Sequence, residues 1–392
     1  MVLAWGIYDT TFTVLKACLH LNYFRLSFRS SANTWKFREQ HQDAVKWSPI
    51  YLLCQALKDP NCKLKKLNTK QTLTELDLSM NNLGDLGVRL LCEGLNHPSC
   101  KLQKLRLSNC YLTAACGEDL SSVLGTKPTL TELDIGENNL GDSGVQLLCE
   151  GLKHPNCKLQ KLQLMNCGLT ASSCGNLSSV LRVKPTLTEL DLALNNLGEA
   201  GGMKLLCEGL KHPDCKLRKL RLMGCQLTAT CCQDLSSVLS INQTLTELEL
   251  RGNLVRDSGV QLLCEGLKHA NCKLQKLGLK NFLLTDACCE DLTAVLSISD
   301  SLTELDIHYL NDFGVQLLCE GLKHSNCKLQ RLGVCGKYKK MKKFMVFVMS
   351  TLSQKQAFHV SNPQDHCLHC LGEQHRKDKH KICKVFKPQT QK

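Results

Sequence analysis

Apolar and polar positions along this chain recur at two nested periods. Thr-Leu-Thr-Glu-Leu begins at Thr72, Thr129, Thr186 and Thr244, and Ser-Leu-Thr-Glu-Leu at Ser301, at spacings of 57, 57, 58 and 57 residues. Cys-Lys-Leu falls between them, at Cys62, Cys100, Cys157, Cys215, Cys272 and Cys327. The unit is a pair of alternating repeats of 28 or 29 residues, the mark of an array in which each unit stacks on the next. One type reads Leu73, Leu76, Leu78, Asn81, Leu83; the other reads Leu102, Leu105, Leu107, Cys110, Leu112. Leu-x-Leu has the period of two that a strand with one buried face requires. Asn81, Asn138, Asn195 and Asn253 then occupy a turn, where a stacked side-chain amide can satisfy neighbouring backbone groups. Cys110, Cys167 and Cys225 hold the equivalent site in the other type.

A helix follows each strand. Val88, Leu91, Cys92 and Leu95 lie at i, i+3, i+4 and i+7, and Cys116, Leu120, Val123 and Leu124, at i, i+4, i+7 and i+8, likewise share one face in the other type. Asp85, Asp142 and Thr113 are the expected N-caps, and His97-Pro98 and Lys127-Pro128 the stops. No unit can bury its apolar face alone. Parallel strands stack about 4.8 Å apart and helices about 8–10 Å, so each repeat should turn by roughly 20–30°. The expected fold class is an α/β solenoid, a horseshoe with a parallel sheet on the concave face and helices on the convex face.

The periodicity sets the domain boundaries. A repeat body spans 49–335, with a truncated repeat at 62–71 and nine recognisable repeats over 72–326. Cys62 to Thr72 covers 10 residues where Cys100 to Thr129 covers 29, so one helix is missing there. The Ser301 repeat is two residues short, with no asparagine in register, and Phe282 replaces the turn cysteine. Residues 1–48 form a non-repeat segment, and 336–392 read as a basic, disordered tail.

Composition refines this picture. Cys92, Cys149, Cys207, Cys264 and Cys319, among 26 cysteines, all sit in Leu-Leu-Cys-Glu-Gly-Leu. A cysteine locked to one helical position reads as a small buried hydrophobe in a reducing compartment, so a cytoplasmic location and free thiols are expected. The neighbours Cys231-Cys232 and Cys288-Cys289 are poorly placed to bridge each other. The sequons at Asn176 and Asn242 are then incidental. No run of 18 apolar residues occurs, and the first residues lack a basic segment, so neither a membrane span nor a signal peptide is expected. The net charge of +13 belongs to the ends: residues 1–71 carry 11 basic and 4 acidic side chains, 327–392 carry 15 and 3, and 72–326 carry 23 and 29.

The paired repeats, with Leu-Cys-Glu-Gly-Leu-Lys-His-Pro-Asn-Cys-Lys-Leu-Gln-Lys-Leu and Leu-Thr-Ala-Thr-Cys-Cys-Gln-Asp-Leu-Ser-Ser-Val-Leu, resemble the leucine-rich repeats of NACHT-, LRR- and pyrin-domain (NOD-like receptor) proteins. They are also similar to cytosolic ribonuclease inhibitor. The resemblance covers about 49–335 and implies a leucine-rich-repeat solenoid acting as a cytoplasmic protein-binding or sensing module, often of innate immune and inflammasome signalling. A ribonuclease-inhibitor-like binding protein is the alternative, as is a non-functional fragment or splice variant.

Candidate chemistry is sparse. No G-x-x-x-x-G-K-[ST] loop is present, so nucleotide hydrolysis is not expected. Gly141-Asp142-Ser143-Gly144 imitates a protease nucleophile segment but recurs at helix starts without a partnered histidine, and reads as a cap. Cys367, Cys370 and His375 match the first three ligands of a zinc knuckle, yet seven residues, rather than four, separate His375 from Cys383. The basic run Lys337 to Lys343 reads as a solvated terminus. No enzyme, cofactor or metal site is expected, nor is a specific nucleic-acid or membrane partner.

The concave strand positions carry the one candidate site. One repeat type presents Glu75/Asp77, Glu132/Asp134, Glu189/Asp191 and Glu247/Glu249; the other presents Lys104/Arg106, Lys161, Lys219/Arg221 and Lys276. Acid and base then alternate from strand to strand. Two readings stand: a self-neutralising surface, and a docking wall for a protein partner with charged hot spots. A surface of mixed sign would not attract nucleic acid by its field.

Overall fold

The computed structural model describes residues 23–25, 74–98, 100–198, 201–280, 284–308, 310, 312–335 and 359–360. Leu-x-Leu becomes a strand and the following apolar stripe a helix in every described repeat. Strands β2 (Glu75–Asp77), β3 (Lys104–Arg106), β4 (Glu132–Asp134), β5 (Lys161–Gln163), β6 (Glu189–Asp191), β7 (Lys219–Arg221), β8 (Glu247–Glu249) and β9 (Lys276–Gly278) have three residues each. They alternate with helices α1 (Gly84–Leu95), α2 (Cys116–Thr126), α3 (Gly141–Lys153), α4 (Ser173–Val183), α5 (Gly202–Leu210), α6 (Ala229–Ile241), α7 (Asp257–Leu267) and α8 (Ala287–Ile298). Strand β10 (Glu304–His308), helix α9 (Asp312–Lys323) and β11 (Arg331–Cys335) continue the series. Two short strands outside the repeat body, β1 (Tyr23–Arg25) and β12 (His359–Val360), join the two edges. All twelve lie in one parallel sheet in chain order. The wider spacing of the helix layer makes the sheet the concave side.

The core is the repeat motif summed. Leu76, Leu78, Val88 and Leu91 are inaccessible to solvent, and their equivalents in the repeats from Leu102 to Leu322 are buried likewise. Small residues let neighbouring helices approach. A Cβ on Gly209 of α5 would stand 2.8 Å from the Ser178 Cα of α4, so alanine there would push the two helices apart.

The turn after each strand is built on the expected side chains. Asn138 Nδ2 donates to Leu107 O, Ile135 O and Gly136 O, while its Oδ1 accepts the N–H groups of Cys110 and Leu112. Asn195 does the same one repeat pair later, and Asn253 keeps the cross-repeat bonds. The cysteines alternate with them: the Sγ of Cys110 donates to Leu78 O at 3.1 Å, Cys167 to Ile135 O at 3.4 Å and Cys225 to Leu192 O at 3.1 Å. Each turn thus reaches back to a carbonyl of the preceding repeat. Phe282 falls outside the described residues. In the shortened Ser301 repeat no asparagine ends the strand, and β10 and β11 run on to five residues, pairing Ile307 with Val334 and His308 with Cys335. Without the amide that turns the chain, the ladder continues.

The N-cap expectation needs correcting. Helices α1 and α3 begin without any side-chain cap. Asp85 and Asp142 instead hold the next repeat: Asp85 accepts the Thr113 N–H at 2.8 Å and its hydroxyl at 2.6 Å, and Asp142 accepts the same groups of Thr170 at 2.9 and 2.6 Å. Asp257 and Thr285 repeat the pair. Thr113 is not the cap either: helix α2 also begins without a side-chain cap, and the Thr113 hydroxyl accepts the N–H of Ala115, the residue before the helix, at 3.3 Å. Where the sequence has Glu199, which falls outside the described residues, the Thr228 hydroxyl pairs with that of Thr230.

The opposite edge uses buried polar groups in the same way. Lys127 donates its Nζ to His97 O, and Lys184 to His154 O at 2.7 Å, and burial holds both ammonium groups below their ordinary range. Asn242 takes over at the next equivalent position, donating to Leu210 O at 2.6 Å. That amide is buried, which explains the Asn242 sequon as structure.

Nineteen described cysteines are free and all are buried. Burial pushes the thiols of Cys149, Cys167, Cys174 and Cys264 up to about 12 from an ordinary 9.0. A thiol held neutral in the fold stabilises it fully below the unfolded value, and that contribution is lost as pH rises towards the folded one. Unfolding free energy should therefore fall between about pH 9 and 12, by up to ~1.4 kcal/mol per pH unit for each such thiol. Replacing Cys167 and Cys174 by alanine should flatten the profile measured by denaturant titration; an unchanged slope would contradict their burial as neutral groups. The turn amide has its own test. Asn138→Ala removes five hydrogen bonds and should cost about 3–4 kcal/mol, against about 0.5 for the exposed neighbour in Asn139→Ala. Equal urea midpoints for the two would remove the amide from its role.

Candidate functional site

Three rows of side chains cross the concave sheet, one from each alternate position along the strands. In the first row Glu75, Lys104, Glu132, Lys161, Glu189, Lys219, Glu247, Lys276, Glu304 and Arg331 stand side by side in register. They pair laterally. Lys104 Nζ lies 3.0 Å from Glu75 and 3.3 Å from Glu132, and Lys219 lies 3.6 Å from Glu189 and 3.1 Å from Glu247. Lys161 reaches Glu189 at 3.8 Å, while Lys276 and Arg331 both reach Glu304, at 3.5 and 3.1 Å. The Glu75 hydrogen bond and then the Glu132 charge raise the Lys104 pKa; for Lys219 the Glu247 bond comes first. All these side chains keep part of their surface in water, so each pair contributes only about 0–1 kcal/mol.

The second row departs from the expectation of an open alternating ladder. Asp77 and Asp191 are buried, at 6% and 8% exposure. Asp77, Asp134 and Asp191 turn towards their own strand ends and accept the N–H of Ser79, Gly136 and Ala193 at 3.0–3.1 Å. Burial raises the pKa of Asp134 and Asp191, partly offset by those N–H groups and by Arg106 or Arg221. Arg106 lies 3.9 Å from Glu75 and 4.0 Å from Glu132, and Arg221 lies 3.8 Å from Asp191. Glu249 pairs with Arg251 at 2.9 Å. Gln163 and Gly278 interrupt the alternation.

Sequence reasoning stopped at these two rows and missed a third, two residues beyond the second. Backbone bonds define it: Glu137 donates to Met165 O, Asn166 to Ala193 O, Leu194 to Met223 O, Gly224 to Arg251 O and Gly252 to Lys280 O. Side by side it runs Ser79, Ser108, Gly136, Met165, Ala193, Met223, Arg251, Lys280, with no alternation of sign. The residue after the second strand leucine was the available signal.

Among the described residues no group of histidines, cysteines and carboxylates is arranged to hold a metal ion. The Cys367–Cys383 segment falls outside them. Asp142 is engaged by Thr170, and the Gly-Asp-Ser-Gly segment begins with Gly141, whose φ of +57° opens the helix. No described helix is long and apolar enough to cross a membrane.

Reversing one link of the first row measures its worth. Lys104→Glu would set three carboxylates in line and should destabilise the protein by about 1–2 kcal/mol at low salt, less at high salt. The same change at exposed Lys101 should have little effect. A salt-independent loss at Lys104 would rule out charge as its cause.

A family model described as Leucine Rich repeat matches residues 69–92, 126–149, 183–206 and 242–264, the asparagine-type repeats. NACHT, LRR and PYD domains-containing protein 3 of Macaca mulatta is 51% identical over 274 residues, covering 69% of this chain and 26% of that protein. Protein 12 of the same series, from Homo sapiens, is 45% identical over 317 residues, covering 76% and 30%. Human protein 14 is 43% identical over 311 residues, covering 74% and 28%. The chain thus spans between a quarter and a third of the length of these relatives. Among solved structures, the actin-binding site 2 of leiomodin-1 aligns at a TM-score of 0.33 and 18% identity over 42% of this chain and 90% of that one, too slight a likeness to bear on function. Strand, asparagine turn and cysteine-bearing helix recur in step with those matches, and the chain carries a leucine-rich-repeat region of the NOD-like-receptor family.

Proposed function

We propose that the repeat body is a protein-interaction module that receives a protein partner on its concave face, in cytoplasmic innate immune or inflammasome signalling. The observation that carries this reading is the concave sheet itself: a continuous, charge-lined wall with its backbone groups already satisfied and its side chains free to re-pair. Lateral pairs of this strength exchange easily for pairs across an interface. The residues proposed to meet the partner are Glu75, Asp77, Lys104, Arg106, Glu132, Asp134, Lys161, Glu189, Asp191, Lys219, Arg221, Glu247, Glu249 and Lys276. The glutamates and lysines of the first row are the more available; the inward-turned aspartates contribute mainly by shaping the turn. The names of the relatives support the signalling context. The repeat architecture supports binding rather than catalysis.

A photo-reactive side chain placed at Gln163 or Lys219 in cells is expected to cross-link a discrete partner protein, and one at Glu118 on the helical side none. Cross-links confined to the helical side would overturn the concave assignment. The ribonuclease-inhibitor alternative predicts a different result. A tight inhibitor of basic ribonucleases benefits from a strongly acidic wall, whereas here each acidic strand of the first row is answered by a basic neighbour. Several-fold excess of the protein in reducing buffer should leave pancreatic-type ribonuclease activity nearly unchanged; stoichiometric inhibition would favour the alternative.

A further inference from the structure

The third concave row differs from the two beside it. Where the first row alternates in sign and neutralises itself, Met165, Ala193 and Met223 make three consecutive apolar positions, followed directly by Arg251 and Lys280; the two methionines are half-buried, while Ala193 between them is covered. Leu194 stands at the rim of this stretch, 49% exposed. Its backbone is left-handed, with φ of +57°. The turn demands that conformation in every described repeat that has it: Gly224, Gly252, Asn109 and Asn166 tolerate it, whereas Met80 and Glu137 at the equivalent position carry the same strain as Leu194. Leucine does not tolerate it well. Its side chain lies over Gly224, where a Cβ would come within 2.7 Å of Leu194 Cδ2. What sets Leu194 apart is its place, a half-exposed leucine between two part-exposed methionines, a surface that can re-pack around varied apolar partners.

The cationic end is equally specific. Lys280 has no ion pair among the described residues. Arg251 Nε is buried and 2.9 Å from Glu249, yet oriented too poorly for a hydrogen bond. Resting on the concave-face reading above, we propose that this row docks an extended segment of the partner that sets a large apolar side chain against Met165, Leu194 and Met223, and a carboxylate against Arg251 and Lys280. Strands about 4.8 Å apart put the two subsites roughly 10–14 Å from one another, the span of three or four residues of extended chain at about 3.3 Å each.

The test pans a phage-displayed random peptide library on the purified full chain and measures the selected peptides, made synthetically, against variants. Peptides with a large apolar residue three or four positions from an aspartate or glutamate are expected. Leu194→Gly and Lys280→Glu should each weaken them by about tenfold or more, and Lys158→Glu, beyond the other end of the strands, should leave them unchanged. Because glycine adopts the left-handed turn freely, Leu194→Gly should hold or raise the melting temperature, which separates lost binding from lost folding. No enrichment, enrichment of peptides without a carboxylate, or affinities indifferent to Leu194 and Lys280 overturns the proposal. If affinity falls instead with Lys219→Glu in the first row, the concave face still binds and only the third-row assignment fails. Insensitivity to both sets removes the concave reading as well.

Discussion

Everything in this solenoid depends on how the backbone is satisfied where a three-residue strand stops. A parallel ladder has no reason of its own to end after three residues, and a chain that turns out of it leaves buried carbonyl and amide groups without strand partners. The side chains of Asn138 and Asn195 supply the missing partners on both sides of a repeat boundary at once, and the thiols of Cys110, Cys167 and Cys225 supply a weaker version on alternate repeats. The turn is therefore a joint between two repeats rather than a property of one. The extra strand pairs in β10 and β11 show the same constraint from the other side.

Once the joints set the register, the electrostatics of the concave face follow. Leucine stands opposite leucine in successive strands, so the residues on either side of it are brought into line. The first row then becomes a chain of shared ion pairs in which each lysine serves two glutamates or one. The second row lies closer to the turns, and its aspartates are drawn into capping them. The third row lies at the turn itself, where neither demand applies, and its composition is free to vary along the array. Structural constraint thus falls off across the width of the sheet as individuality rises.

Much of this could be read from the chain. Strand and helix positions, the turn asparagines, the burial of the Leu-Leu-Cys-Glu-Gly-Leu cysteines and the alternating charges all follow from a period repeated often enough to average out local noise. What escaped were the interactions between repeats. Asp85 looked like a cap because it lies in the first turn of a helix, and only the stacking of one repeat on another brings Thr113 to its carboxylate. Asp77 and Asp191 looked exposed because strand alternation says which face a residue takes but not whether its side chain folds back onto the next turn. The row of Met165, Ala193 and Met223 was invisible for a related reason: those residues follow the strand in sequence yet extend its surface in space.

The pairing of unlike repeats has a consequence for how such a chain can grow or shrink. Its arithmetic is modulo two. Removing or adding a single repeat would set Glu132 beside another glutamate strand, and would face an asparagine joint with a second asparagine where a cysteine is built to sit. Removing a pair restores the alternation: acid meets base, amide meets thiol, and Asp142 again finds a threonine across the boundary. The heritable unit of this architecture is thus the doublet, and any event that cuts the array at an odd boundary leaves a seam of like charges and mismatched joints at its scar.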